Sequence, residues 1–112
     1  MESVRQLKVG RLIQKELSEI FRINSSALFD NKFITVTVVR VSPDLGNAKV
    51  YLSIMNPGDK ASVLEKVKHQ AGVIRRLLGN EIRRQVRVIP ELSFFIDDSL
   101  DYADKIEELL KK

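Results

Sequence analysis

Hydrophobic positions along the chain follow two different periods, which divide the sequence into predicted helices and strands. Ser3–Arg22 has apolar residues at three- and four-residue spacing behind a serine N-cap, which predicts an amphipathic helix. Alternation at Phe33–Ser42 and Asn47–Met55 predicts two strands, and the turn-forming residues between them predict an antiparallel hairpin. Ile23–Lys32 is rich in Asn, Ser and Asp and is therefore predicted to be a loop.

The longest patterned stretch, Leu64–Asp97, begins with a helical period and ends with strand alternation. Gly72 interrupts the helical part, where a glycine costs about 1 kcal/mol relative to alanine. The alternation predicts a strand over Gln85–Asp97, and Pro90 within it predicts an edge strand or a bulge, because proline cannot donate to a sheet ladder. A short helix capped by Ser99 is predicted to follow.

These elements predict one α+β domain over residues 1–112, with helices on one face of a three-stranded sheet. The apolar share of 44% and charged share of 30% are typical of a soluble globular protein. No apolar run reaches the roughly 20 residues of a membrane span, and no signal-peptide core is present. The absence of cysteine excludes disulfides and thiolate metal sites. We therefore expect a cytoplasmic, monomeric protein with no cofactor, metal or membrane partner.

Charge is distributed unevenly along the chain. Between Lys66 and Arg87 there are seven Lys or Arg residues and one acid, whereas between Glu91 and Glu108 there are seven acids and one lysine. One part of the molecule is therefore expected to attract polyanions and another to repel them. A glycine-broken helix carrying this positive charge predicts a surface that binds a phosphate-rich polymer.

The order helix–strand–strand–helix–kink–helix–strand resembles that of type II KH-like domains. Within that group the chain resembles the ribosome-binding factor A family, bacterial assembly factors of the small ribosomal subunit. The resemblance spans essentially the whole chain and rests on three strings of residues. They are "ITVTVVRVSPDLGNAKVYLSI" at Ile34–Ile54, "AGVIRRLLGNEI" at Ala71–Ile82 and "VRVIPELSFFIDDSL" at Val86–Leu100.

The resemblance implies binding to 16S rRNA in free or immature small subunits. It also implies assistance in late maturation, including 5′-end processing, and a part in cold adaptation. The family has a helix–kink–helix where ordinary KH domains have a Gly-x-x-Gly loop, commonly with alanine, any residue and glycine at the kink. Here the triplet is Gln70-Ala71-Gly72, so the glycine matches and the leading residue departs from the pattern.

The residue types are themselves consistent with RNA binding. No two glycines are three positions apart, and aromatic residues for base stacking are few, which favours recognition of folded RNA by shape and phosphate contact. Gly72 would bring the first N–H groups of the second helix half to a phosphate, although close helix packing would also explain a glycine there and at 79. The predicted RNA-binding residues are Lys66, Lys68, Gly72, Arg75, Arg76, Arg83, Arg84 and Arg87, with Arg5, Lys8, Arg11 and Lys49 in second rank.

Two other classes of function stay open at this stage. Four carboxylates, those of Asp44, Asp97, Asp98 and Asp101, could be imagined around Mg²⁺ as in a nuclease. There is, however, no Walker loop and no second histidine for a triad, and His69 fits a solvated helix position better than a catalytic one. A protein-only adaptor that docks on ribosomal proteins through the acidic final helix is the third reading, and it is compatible with RNA binding.

Overall fold

The computed structural model describes residues 2–29, 34–54 and 60–97 of the chain. The elements in chain order are helix α1 (Val4–Ile23), helix α2 (Ser25–Phe29), strand β1 (Ile34–Val41), strand β2 (Asn47–Ile54), helix α3 (Lys60–His69), helix α4 (Ala71–Ile82) and strand β3 (Glu91–Ile96). The predicted α+β, type II KH-like order is confirmed, and the predicted helix after Ser99 lies outside the described residues. No helix in the described ranges is long and apolar enough to cross a bilayer.

Helix α1 begins with the serine cap that the sequence predicts. Ser3 Oγ accepts from the Gln6 N–H at 3.1 Å, and Gln6 Oε1 accepts from the Ser3 N–H at 2.8 Å, which together form a capping box. Gln6 Nε2 also donates to the carbonyl of Val41 at 2.8 Å, so the same buried side chain ties the start of α1 to the end of β1. The helix approaches the strand closely at Gly10, where a Cβ would lie 3.0 Å from the Val39 oxygen.

The predicted loop at Ile23–Lys32 is wrong in part, because it contains helix α2. Local preference in this Asn- and Ser-rich segment is weak, so tertiary burial decides its conformation. The Phe29 side chain is 1% exposed, and its ring centroid lies 4.8 Å from that of Phe21. The aromatic contact therefore fixes a short helix that periodicity alone does not reveal.

Strands β1 and β2 form the predicted antiparallel hairpin. Their register shifts between Val36 and Val38, which indicates a bulge at Thr37 that the sequence does not predict. In the connecting turn, Leu45 rather than a glycine has the positive φ of 61°.

Strand β3 pairs in parallel with β2 and forms an edge of the sheet, whose order is β1-β2-β3. The predicted edge position is confirmed, but the predicted start at Gln85 is wrong because the strand begins at Glu91. Residues 85–90 form turns and bends instead. Pro90 is buried immediately before the strand, and Val88 is 59% exposed rather than on a core face.

One face of the sheet packs against the helices and forms the core. Side chains of one parity on the strands, such as Val50, Leu52 and Phe94, are buried with Ile13 and Leu17 of α1. Helix α4 contributes Ile74, Leu78 and Ile82, each fully buried. The predicted arrangement, with helices on one face, is therefore confirmed for the described residues.

Candidate nucleic-acid interface

The predicted break between the two central helices is present, but it occupies the single residue Gln70 rather than Gly72, which lies in the first turn of α4. Gln70 donates its N–H to the carbonyls of Lys66 and Val67, at 3.2 and 3.0 Å, and so closes α3. Its own carbonyl accepts from the Ile74 N–H at 2.9 Å and so opens α4. The Gln70 side chain makes no cap hydrogen bond, and no acid lies in the first turn of α4. The start of α4 therefore presents N–H groups and a partial positive charge without a competing carboxylate on its own helix.

Gly72 has no structural need to be a glycine. A Cβ built there meets nothing within 4 Å, and its φ lies outside the left-handed region. The alternative that it serves close packing is therefore not supported. Gly79 differs, because a Cβ there would lie 3.4 Å from Ile89 Cγ1. Packing thus accounts for Gly79, whereas Gly72 leaves an exposed, open place on the surface beside the kink.

This open place belongs to a groove between α4 and β3. The depression has a volume of ≈ 450 Å³ and is lined by Ala71, Gly72, Arg75, Arg76, Gly79, Ile89, Glu91 and Leu92. A second depression of ≈ 340 Å³ continues it past Ala71 and Leu92 to Lys68 of α3 and Ser93 and Phe95 of β3. The groove therefore runs along the outer edge of β3, with helix side chains as one wall.

Helix geometry places two glycines and two arginines on the same side of the helical path. Gly72, Arg76, Gly79 and Arg83 follow one another at spacings of four, three and four residues, so they share one stripe of the helical path. The stripe lies opposite the buried positions Ile74, Leu78 and Ile82. Arg76 thus stands between two side-chain-free positions, where a phosphate could approach both its guanidinium group and the helix backbone.

Arg75 lines the groove, but its guanidinium group is already bonded within the protein. Its Nε donates to the Pro90 carbonyl at 3.1 Å, its Nη2 donates to the Ile89 carbonyl at 2.7 Å, and its Nη1 lies 3.7 Å from Glu91 Oε1. These contacts hold the segment that leads into β3 against α4. Arg75 is therefore a positioning residue for the wall of the groove, and its predicted contact with a phosphate nearest the kink stays a prediction.

The other predicted residues of the central segment are exposed, but they do not all line the groove. Lys68 does, and its ammonium group lies 3.8 Å from Glu65 in an exposed ion pair, of a kind that contributes about 0–1 kcal/mol. Lys66 is exposed on α3, and Arg83 and Arg84 are exposed at the end of α4. These three extend the positive surface beyond the groove at either end of the helix pair.

Arg87 and Arg5 line a depression that is separate from the groove. They line a depression of ≈ 300 Å³ formed by the start of α1, the β1–β2 turn and the segment before β3. Lys8 and Arg11 are exposed on the outer side of α1, and neither lines the groove. Lys49 lies on β2, on the sheet face away from the core. The predicted set is therefore divided among several surfaces.

The carboxylates considered for a metal site are not brought together where the structure describes them. Asp44 lies in the β1–β2 turn, and hydrogen bonds from the Ser42 hydroxyl (2.6 Å) and the Gly46 N–H (3.0 Å) hold the pKa of its carboxyl below the usual value. Asp97 follows β3 at the other end of the sheet and accepts from the Thr37 hydroxyl at 2.6 Å. No group of three potential metal ligands occurs in residues 2–29, 34–54 and 60–97. Asp98 and Asp101 lie outside those ranges.

Comparison with known proteins identifies close relatives over nearly the whole chain. Residues 5–110 match the family model described as "Ribosome-binding factor A". The ribosome-binding factor A of Cytophaga hutchinsonii is 54% identical over 112 residues, covering 100% of this chain and 84% of the relative. That of Flavobacterium psychrophilum is 43% identical, covering 98% of this chain and 85% of the relative.

Solved structures show the same fold. The crystal structure of ribosome-binding factor A from Thermus thermophilus gives a TM-score of 0.69 at 18% identity, covering 81% of this chain and 94% of the other. A homology model of the Thermus thermophilus factor, fitted into a cryo-EM map of a 30S–RbfA complex, gives 0.60 at 19% identity, covering 88% and 97%. At these identities the likeness establishes the fold.

Proposed function

Because this chain belongs to the ribosome-binding factor A family, we propose that it binds 16S rRNA in free or immature small ribosomal subunits and assists their late maturation. The family name and the Thermus thermophilus factor fitted into a 30S complex support the target. The observation that carries the proposal within this chain is the groove between α4 and β3, where Gly72 leaves room beside Arg76.

The mode of binding follows from the shape and charge of that groove. A sugar–phosphate backbone that enters it would pass over Gly72, where no side chain stands, and meet the N–H groups at the start of α4. Arg76 would supply a planar, bidentate donor on one side of the glycine, and Lys68 a point charge on the other. The Lys68–Glu65 pair is weak enough for a phosphate to replace the glutamate.

The other cationic residues have different roles in the proposed RNA binding. Lys66, Arg83 and Arg84 extend the phosphate-binding surface, and Arg75 acts through the segment it holds rather than by direct contact. Arg5 and Arg87 form a second point of contact at the end of the molecule, which a folded RNA could reach at the same time. Lys8 and Arg11 add positive potential on α1. Such dispersed contacts suit the recognition of a folded RNA by its shape.

In this proposal the protein acts as a monomer that holds a region of 16S rRNA while its 5′ end is processed. It carries out no bond chemistry itself, so its effect on maturation arises from binding alone. A need for such binding at low temperature would follow from the greater stability of misfolded RNA helices in the cold.

Co-sedimentation tests the target directly. Purified protein is mixed with small subunits, large subunits or whole ribosomes and centrifuged through a sucrose gradient. We expect it to migrate with small subunits and to be lost from them at high salt. Co-migration with large subunits alone would refute the proposal, and binding to intact subunits but not to 16S rRNA fragments would favour the protein adaptor.

Maturation needs a separate experiment in cells. Depletion of the protein is expected to raise the level of 16S precursor with an unprocessed 5′ end, most strongly at low temperature. The wild-type gene should restore processing, whereas a gene encoding Arg76→Gln should restore it only in part. Normal 5′ ends after complete depletion would contradict the maturation role without affecting the binding proposal.

A further inference from the structure

The face of the sheet away from the helices carries its own pattern of side chains. Strand pairing places Val38 opposite Tyr51 and Arg40 opposite Lys49 across β1 and β2, and it places Tyr51 beside Phe95 of β3. Their neighbours of opposite parity are buried in the core. These five residues, here called the open face, therefore lie together on the side of the sheet that does not contact the described helices.

Two aromatic rings form the centre of the open face. The Tyr51 and Phe95 ring centroids are 5.5 Å apart with an interplanar angle of 29°, so the rings are stacked across the strands. Phe95 is 40% exposed and Val38 is 38% exposed, although both belong to regular strands. Large, rigid aromatic area at the middle of a sheet offers a surface on which a planar group can stack.

Cations flank the aromatic pair. Arg40 and Lys49 are exposed partners on the two neighbouring strands, two register positions from the Val38–Tyr51 pair. One acid also lies on this side. Asp97 accepts from the Thr37 hydroxyl and lines a depression of ≈ 260 Å³ with Val38, Arg40 and Tyr51. Two cations and one carboxylate therefore lie beside the rings, so the charge of the open face is positive, whereas Glu91 lies in the groove 3.7 Å from an Arg75 nitrogen.

We propose that the open face is a second RNA-binding surface, which stacks unpaired bases of single-stranded RNA on Tyr51 and Phe95. The backbone phosphates on either side of the stacked bases would face Arg40 and Lys49. Exposed aromatic rings beside cations on a strand surface are the combination by which sheets hold single strands. An apolar peptide would use the rings and Val38 but would leave the two cations without partners, so charge complementarity favours RNA.

The open face borders the groove between α4 and β3 at the edge strand, where Phe95 also lines the depression next to Lys68. The groove is lined by helix residues such as Gly72 and Arg76 and binds backbone in the function proposed above. The open face lies on the other side of the sheet and would bind bases. A protein with both could hold a folded part of an RNA and an adjoining unpaired strand at once.

Tyrosine fluorescence tests the open face in the full-length chain. The protein has two tyrosines and no tryptophan, so Tyr102→Phe makes Tyr51 the sole fluorescent reporter. This variant is titrated with an unstructured oligouridylate of about 12 nucleotides, within the range that single-strand binding folds cover. We expect Tyr51 emission to be quenched in a saturable manner. Added Phe95→Leu, which keeps an apolar strand residue, should weaken binding by roughly 5- to 150-fold, whereas Phe95→Tyr should retain it.

Controls separate this surface from the groove and from other occupants. Arg22→Gln, which removes one exposed charge on α1 outside both surfaces, should leave the oligouridylate affinity nearly unchanged, whereas Arg40→Gln with Lys49→Gln should lower it and reduce its salt dependence. Absence of quenching would overturn the proposal, as would equal affinities of the Phe95→Leu and Phe95→Tyr variants. A dimer that Phe95→Leu dissociates would also overturn it, because the open face would then bind a second copy. None of these failures would affect binding of folded rRNA by the groove.

Discussion

Replacement of Gly72 by alanine should make the protein more stable and a weaker RNA binder at the same time. The Cβ of the alanine would be exposed, would meet nothing within 4 Å and would require no change of φ. Glycine in a helix interior costs roughly 0.5–1 kcal/mol relative to alanine. Gly72 is the second residue of α4, so the unfolding free energy should rise by at most about that amount. For a domain of this size this upper bound corresponds to about 2–6 °C in Tm.

The loss of binding comes from the same added methyl group. If RNA backbone lies over Gly72, the Cβ occupies the contact and forces a shift, which costs about 1–3 kcal/mol in a close-packed interface. Affinity for small subunits should therefore fall by roughly 5- to 150-fold. Urea denaturation measures the stability, and sedimentation at a fixed salt concentration measures the affinity.

A matched substitution on the same helix provides the control. Asn80 is exposed on α4 and does not line the groove, so Asn80→Ala should also raise stability through helix propensity while leaving affinity unchanged. The reasoning about Gly72 would be refuted if Gly72→Ala bound small subunits as tightly as the wild type. It would equally be refuted if the alanine lowered stability.

Three further substitutions test the surrounding structure. Arg75→Ala should lower the unfolding free energy by about 1–3 kcal/mol in urea denaturation, because two carbonyls lose charged donors. Arg76→Ala should change it by under about 0.5 kcal/mol, and equal effects of the two substitutions would contradict the assigned roles. Gly10→Ala should destabilise by about 1–3 kcal/mol, since its Cβ would lie 3.0 Å from a backbone oxygen, and an unchanged Tm would show that α1 can shift at no cost. The lowered pKa of Asp44 means that its hydrogen bonds stabilise the folded state above the unfolded pKa of about 3.9 and lose that contribution as pH falls through the folded value. Asp44→Asn should therefore make the Tm measured by thermal unfolding fall less steeply at acid pH. An unchanged dependence of Tm on pH would contradict this role of Asp44.

The fold follows from the sequence wherever local pattern and tertiary packing agree. The Ser3 cap and the alternation of the hairpin both predict what the structure contains, whereas the helix breaks at Gln70, two residues before the glycine that predicted a break. The prediction fails at Gln85–Pro90, where alternating apolar residues continue a strand pattern although the chain is held by Arg75 through backbone carbonyls. Such a contact between residues fourteen and fifteen positions apart leaves no periodic signal.

The sequence predicts which residues lie together at the centre of the groove better than it predicts how far the cationic surface extends. Gly72, Arg76 and Lys68 are brought to one groove, as expected from their places around the kink. Cations that are adjacent in sequence can have different roles, because residues one apart on a helix point about 100° from each other. Arg75 and Arg76 both line the groove, but the Arg75 guanidinium group is bonded to the segment before β3, whereas Arg76 is exposed. The pairing of Tyr51 with Phe95 depends on strand register, which the hydrophobic pattern alone did not supply.

The salt dependence of binding to small subunits tests the central claim most directly, namely that the groove holds phosphates through Lys68 and Arg76. Each phosphate contact contributes about 0.7–0.9 to the slope of log K against log salt concentration. The double variant Lys68→Gln, Arg76→Gln is therefore expected to bind more weakly at low salt, with a slope smaller by roughly 1.4–1.8. A slope equal to that of the wild-type protein would contradict the account.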